Sequence, residues 1–222
     1  MPMNAILFDL DGTLLDTLHD LADAATRVLD HAGLPAHAHS AYRQFIGDGS
    51  RMLITRAIPE DHRTPDRIED LLTRFKDDYS RHWKTATRPY PGINDLLREL
   101  VRRGIPRAVV TNKPHAFAKD CVHHFFPDIA FQMIQGQKED APLKPHPRPA
   151  LEAARQLRVP APECLLLGDS DVDMQTALAA GMLPVGAAWG FRPVGELIAA
   201  GAVRVVHSPQ EILECIDGPL SQ

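Results

Sequence analysis

Apolar residues recur along the chain in two rhythms. Short apolar runs stand at residues 5–8, 108–110, 165–167 and 203–206, the last holding Arg204, with a weaker one at 184–188. A run that is apolar on both faces suits a strand buried on both sides of a parallel sheet, whereas a half-exposed strand would alternate. Between the runs, apolar positions return every three or four residues. Ile93, Leu96, Leu97, Leu100 and Val101 form such a series, and Arg102, Arg103 and Gly104 close it with the basic last turn and glycine that end a helix. Strand and helix in alternation predict an α/β fold with a doubly wound, mostly parallel sheet of Rossmann-like type.

One stretch breaks the alternation. From Thr17 to Lys84 there is no strand-like run. Leu18, Leu21, Ala22, Ala25, Val28 and Leu29 mark one helical face, and Ile68, Leu71, Leu72, Phe75 and Tyr79 mark another. The chain leaves this region through Pro89-Tyr90-Pro91-Gly92, a turn-rich boundary suited to a hinge. The expected division is an α/β core of residues 1–15 and 86–222 with a helical insert at 16–85. Hinges are expected near 15–17 and 84–90.

Composition narrows the partners. The 222 residues include 44% hydrophobic and 24% charged side chains, the balance of an ordinary globular protein. The net charge of -5, with no basic run, gives no footprint for nucleic acid. Cys121, Cys164 and Cys215 are odd in number and lack the C-x-x-C spacing of a zinc site, which fits a reducing cytoplasm. The first eight residues lack the charge and length of a signal peptide. The longest uncharged stretch, 175–191, is broken by Gly181, Pro184 and Gly186, so no membrane span is expected.

The chemistry sits at the predicted strand ends. Asp9-Leu10-Asp11-Gly12-Thr13 follows the first apolar run and so falls at the carboxyl end of the sheet, where open α/β folds place ligands. A plain D-G turn is the bland alternative. A calcium loop fits badly, because its sixth position would be Leu14 and its twelfth Asp20. Gly168-Asp169-Ser170-Asp171-Val172-Asp173 follows another run, and capping of a helix explains one of its acids but not all. Two acid clusters converging on one crevice need a cation, and oxygen ligands without histidine or thiolate favour magnesium. Thr111-Asn112-Lys113 ends a third run with a hydroxyl and an amide suited to phosphate oxygens. Lys144-Pro145 adds a cation on a stiff backbone.

These four groups, DLDGT at 9–13, Thr111, Lys144 and GDSDVD at 168–173, stand in the order and spacing of the haloacid dehalogenase-like superfamily, which the chain closely resembles over nearly its whole length. Thr111-Asn112-Lys113-Pro114, Tyr90-Pro91-Gly92 and Gly47-Asp48-Gly49 most resemble its phosphoglycolate phosphatase branch. The resemblance implies that the insert is a cap domain and that Asp9 is the nucleophile, forming an aspartyl phosphate. It implies that Asp11 is the general acid and base, which requires a raised pKa relative to Asp9. It also implies Mg²⁺ held by Asp9, the Asp11 backbone carbonyl and Asp169, with Asp173 in support. Thr111, Asn112 and Lys144 would grip the phosphoryl oxygens.

In the expected cap, Gly47 and Gly49 permit close approach of backbone to substrate. Arg51 is a candidate partner for a substrate carboxylate, with a solvated helix position as the alternative. His37, His39, His123 and His124 lack the acid or cysteine partners of a metal site, and His115 stands near the second motif without an assigned role. The expected partner is a small phosphorylated metabolite, 2-phosphoglycolate or a similar ester, handled by a monomer or homodimer. A sugar-phosphate mutase uses the same residues and is the competing enzyme reading. Asp11 argues against a dehalogenase. The late positions of Lys76 and Lys84 argue against a phosphonatase, which needs an early cap lysine. A phosphorylated receiver module is the reading from another class, and the long insert speaks against it.

Overall fold

The computed structural model describes residues 3–218. Its strands are β1 (Ala5–Phe8), β2 (Leu15–Asp16), β3 (Arg88–Pro89), β4 (Arg107–Pro114), β5 (Met133–Gln137), β6 (Cys164–Gly168), β7 (Leu183–Ala187) and β8 (Arg204–Val206). Six of them form one sheet in the order β5-β4-β1-β6-β7-β8, and every pair in it is parallel. The short β2 and β3 pair in a two-stranded sheet of their own. The expected α/β doubly wound class is therefore the observed one. The five predicted runs became β1, β4, β6, β7 and β8. Within the six-stranded sheet, the strand without an apolar run to announce it is β5, whose sequence MIQGQ is polar in its second half. It survives as a strand because it needs only one neighbour, β4, at the sheet edge.

Every residue of β1 and β6 is buried, the signature of central strands covered on both faces. The chain winds outward from β1 to β4 and β5, then crosses back to β6, β7 and β8, so β1 lies between the two halves of the winding. Register brings Phe8 level with Val109 on one side and Leu167 on the other. Asp9 and Gly168, the residues that follow Phe8 and Leu167, therefore stand side by side at the carboxyl end of the sheet.

The chain divides into two compact units, one running from Asp16 to Arg88 and the other formed by the chain on either side, up to Leu15 and from Pro89. The first holds α1 (Leu18–His31), α2 (His39–Phe45), α3 (Ser50–Ala57) and α4 (Pro65–His82). In α1 the face Leu18, Leu21, Ala22, Ala25, Val28 and Leu29 is buried, and in α4 it is Leu71, Leu72, Phe75 and Tyr79. Thr64 caps α4 by accepting from the Arg67 amide, with Pro65 at the first helical position. Arg27 grips both oxygens of Asp78, which joins α1 to α4. At the root of the unit Asp20, 3% exposed, accepts from the amides of Ala86 and Thr87 and from the Thr87 hydroxyl, fixing the start of α1 to the returning chain.

The other unit carries α5 (Ile93–Arg102), α6 (His115–Phe125), α7 (Arg148–Leu157), α8 (Asp171–Ala179), α9 (Val194–Ala199) and α10 (Glu211–Asp217) around the sheet. On one sheet face Ala5, Leu7, Val110 and Leu166 pack with Ala150, Ala153 and Ala154 of α7 and Ala177 of α8. These alanines leave room for helix backbone to lie close over the strands. Truncating Leu166 in such a core costs about 2–5 kcal/mol. No helix among the described residues is long and apolar enough to cross a membrane. The three cysteines are free and buried.

Candidate active site

Asp9 is the first residue beyond β1, and its amide donates to the carbonyl of Leu167 at 2.9 Å, so the sheet ladder itself fixes its position. The chain then curls tightly. The amides of Leu14 and Leu15 both donate to the Leu10 carbonyl at 3.0 Å, and Gly12 donates to Leu15 at 2.8 Å. Gly12 has φ +90°, and a Cβ there would lie 2.2 Å from Oδ2 of Asp169. Glycine meets both a left-handed backbone and a close approach at this one position. From outside, the Trp189 indole donates to the Thr13 carbonyl at 3.0 Å, and the Thr13 hydroxyl donates to Asp169 at 3.1 Å.

The structure brings the two acid clusters together. Asp9, Asp169 and Asp173 each offer a carboxylate oxygen within 4.8 Å of the others, and all three are buried. Asp169 is held by Thr13 and by the Phe191 amide at 2.7 Å. Ser170 is the N-cap of α8, accepting from the Asp173 amide, and Asp173 completes the capping box, its Oδ2 accepting from the Ser170 amide and hydroxyl. The same side chain gives Oδ1 to Lys144 at 2.6 Å, so one aspartate both starts the helix and belongs to the cluster. Asp171 is outside that cluster of three.

Lys144, 4% exposed, also donates to Asp9 at 2.8 Å. Burial alone would pull its ammonium down, but the carboxylates of Asp173 and Asp9 outweigh that and raise it. Burial pushes the Asp9 carboxyl up to about 6, with Lys144 opposing the shift and Asp173 adding to it. Asp169 is raised well above the ordinary carboxylate range by burial and by the charges of Asp173 and Asp9. Asp9 and Asp169 are thus both held above the ordinary carboxylate range by burial and by the negative charge around them. A divalent cation would offset that charge, and an all-oxygen donor set with neither imidazole nor thiolate suits Mg²⁺.

Thr111 and Asn112 are buried residues in the second half of β4. The side-chain amide of Asn112 donates to the Lys144 carbonyl at 3.0 Å and accepts from the Lys144 amide at 2.8 Å. It therefore acts on Lys144 through the backbone, a reciprocal bond that spacing in the sequence does not reveal. The residue that sequence reasoning left without a role is Lys113. Its Nζ donates to both oxygens of Asp11, at 2.9 and 3.1 Å, from a side chain only 3% exposed. The available signal was its place in the Thr111-Asn112-Lys113 run.

The remaining candidates fall in the helical unit. Gly47 and Gly49 have φ +125° and +88° and flank Asp48, whose carboxylate pairs with Arg56 at 2.6 Å. Their glycine identity answers the turn geometry directly. Arg51 is exposed on α3 and pairs with Glu69 of α4. His39 does have an acid partner, Asp23 at 2.8 Å, supplied by α1 rather than by its sequence neighbours. His115 starts α6, and its Nδ1 accepts from the Gly136 amide at 3.3 Å.

The chain as a whole has similar counterparts among known proteins. Residues 6–187 match the sequence family of haloacid dehalogenase-like hydrolases. A phosphoglycolate phosphatase of Mesorhizobium japonicum is 36% identical over 188 residues, spanning 84% of this chain and 83% of its own. The N-acetylmuramic acid 6-phosphate phosphatase of Pseudomonas aeruginosa is 30% identical over 221 residues, or 99% and 97% of the two chains. A crystal structure from Lactobacillus delbrueckii subsp. bulgaricus, provisionally described as a phosphoglycolate phosphatase, superposes with a TM-score of 0.91 at 32% identity, over 97% of this chain and 99% of that one. The chain belongs to the haloacid dehalogenase-like hydrolase family. Within that family it stands in the phosphoglycolate phosphatase-like branch, and it is a phosphatase.

Proposed function

We propose that this phosphatase hydrolyses a small phosphate monoester, 2-phosphoglycolate or a close analogue, through an aspartyl phosphate on Asp9 with Mg²⁺ as cofactor. The observation that carries the reading is the convergence of Asp9, Asp169, Asp173 and Lys144 into one buried group at the carboxyl ends of β1 and β6. The names of the Mesorhizobium and Pseudomonas relatives denote phosphate esters of carboxylic acids, which supports an acidic substrate.

Asp9, the Asp11 carbonyl and Asp169 would hold the cation, with Asp173 in support, and the cation would neutralise charge where one anion must approach another. The chain's own residues do the rest. Lys144 grips one oxygen of Asp9, so the carboxylate is aimed as well as charge-compensated. An Asp9 oxygen attacks phosphorus as the ester oxygen leaves, exchanging the P–O bond of the ester for one to the carboxyl group. Asp11 gives the departing oxygen a proton, then takes one from the water that cleaves the acyl phosphate and returns Asp9. Thr111 and Lys144 donate to the phosphoryl oxygens as charge shifts onto them. The helical unit serves as the cap that admits the substrate and selects its leaving group.

The test is phosphate release by purified protein from 2-phosphoglycolate and a panel of sugar and hydroxy-acid phosphates, with and without Mg²⁺ after chelation. Asp9→Asn should lose turnover by at least about 10³-fold, the scale on which a covalent nucleophile matters. Its fold should be retained, with thermal unfolding no earlier than in the parent. Substantial residual activity in that variant refutes the nucleophile assignment.

A further inference from the structure

Lys113 presents a chemical conflict that the proposed reaction has to resolve. Its ammonium holds both oxygens of Asp11, and both side chains are largely withdrawn from water, at 3% and 14% exposure. While that pair is intact, Asp11 has both oxygens occupied and offers nothing to a leaving group. A buried ammonium does not give up its partner for nothing, because removing one member of such a pair leaves an uncompensated charge. The other site lysine is no substitute, since Lys144 holds Asp9 and Asp173 and has its remaining donor for the phosphoryl group. Release of Asp11 thus requires another anion to take its place at the Lys113 Nζ.

The substrate can carry that anion within reach. Asp11 must come to hydrogen-bonding distance, about 2.8 Å, of the ester oxygen that leaves. In the phosphate ester of an α-hydroxy acid, the carboxylate sits on the next carbon, and its oxygens lie about 3 Å from that same ester oxygen by standard bond lengths. An ammonium that stands 2.9 Å from Asp11 is then positioned to meet this carboxylate with a small movement of a flexible side chain. We infer that Lys113 is the specificity-determining residue of the core. Its ammonium exchanges Asp11 for the carboxylate of an α-phosphooxy acid, so the correct substrate frees Asp11 to take a proton from water and pass it to the leaving oxygen. The inference rests on the proposed phosphatase reaction. It places recognition of the carboxylate on β4, whereas Arg51 is engaged with Glu69.

The experiment compares kcat/KM for 2-phosphoglycolate with kcat/KM for ethyl phosphate, which has the same ester but no carboxylate, in the parent, Lys113→Met and Lys113→Arg proteins. The parent should favour 2-phosphoglycolate. In Lys113→Met that preference should fall by about 10- to 100-fold, the span to which one charge-assisted hydrogen bond converts. Lys113→Arg should keep part of it. Loss of activity common to both esters cancels in the ratio, so a merely structural lysine, or one that binds only phosphate, would leave the ratio unchanged and overturn the inference. Should the methionine variant fail to fold, the parent enzyme decides with the methyl ester of 2-phosphoglycolate. A large drop against the free acid supports the exchange, and equal turnover refutes it. Failure of the underlying reading looks different, because the parent would then release phosphate from neither ester, and the inference would fall with it.

Discussion

Replacing Lys144 with methionine probes the electrostatic centre of the molecule. The substitution keeps most of the side-chain volume but removes an ammonium that donates to Asp9 at 2.8 Å and to Asp173 at 2.6 Å. Each charge-assisted bond of this kind contributes about 1.5–3 kcal/mol, and breaking a buried pair costs about 3–5 kcal/mol because the orphaned charge stays behind. Relief of the desolvation of Lys144 itself offsets a part, so the expected loss in metal-free buffer at pH 8 is about 3 kcal/mol. At a urea slope of about 2–3 kcal/mol/M the unfolding midpoint should drop by about 1 M. Trp189 lies against the Thr13 carbonyl, so its fluorescence in a Trp83→Phe background reports the α/β unit alone.

The pH dependence follows from the direction of the carboxyl shifts. Asp9 is already raised to about 6 in the intact site, chiefly by burial, and losing the ammonium raises it further. A folded state with raised carboxyl pKa binds more protons than the unfolded chain, so stability falls as pH rises from the unfolded value near 4 through the folded value. The deficit of Lys144→Met should therefore be small at pH 5 and full at pH 8. Millimolar Mg²⁺ should recover part of it. Coincident midpoints at pH 8, or a deficit just as large at pH 5, would refute the charge argument.

Two further outcomes are expected. Gly12→Ala forces an L-residue to φ +90° and a methyl group against Asp169. About 2–4 kcal/mol of stability and at least about tenfold in Mg²⁺ affinity should go, read by calorimetric unfolding and titration. Mg²⁺ binding to the parent should tighten steadily between pH 5 and pH 8, because Asp9 and Asp169 must shed protons that burial helps them keep, and proton release should be visible as buffer-dependent enthalpy. Affinity that is flat with pH would argue that these carboxyls are not the ligands.

Much of this architecture can be read from residue order, for a definite reason. Strands such as β1 and β6 are buried on both faces, so their sequences AILF and CLLLG carry the fold in composition alone. Acids at strand ends then locate the crevice. An edge strand escapes such reading, because β5 can keep Gln135 and Gly136 without exposing a central ladder. Pairings across long sequence separations escape it too. Nothing near Asn112 announces that its amide will clasp the Lys144 backbone 32 residues on, and nothing near Lys113 points back to Asp11, 102 residues earlier. His39 looked isolated for the same reason, since its acid partner comes from the preceding helix. Asp173 shows that two readings of one residue need not compete, as it both completes the capping box of α8 and faces Lys144.

The central place of β1 also sets the order in which the protein can be completed. Ile6 waits for Arg107, and Ala5 for Cys164, before either finds its sheet neighbour. As the chain leaves a ribosome, the helices between Asp16 and Arg88 can assemble through contacts close in sequence, while four apolar residues ahead of them remain unpaired. Asp9, the proposed nucleophile, is made long before the strands that house it. An interruption of synthesis between Arg88 and Cys164 would release a product with an intact helical segment, an incomplete sheet and an adhesive, partly unpaired β1, a natural client for chaperones.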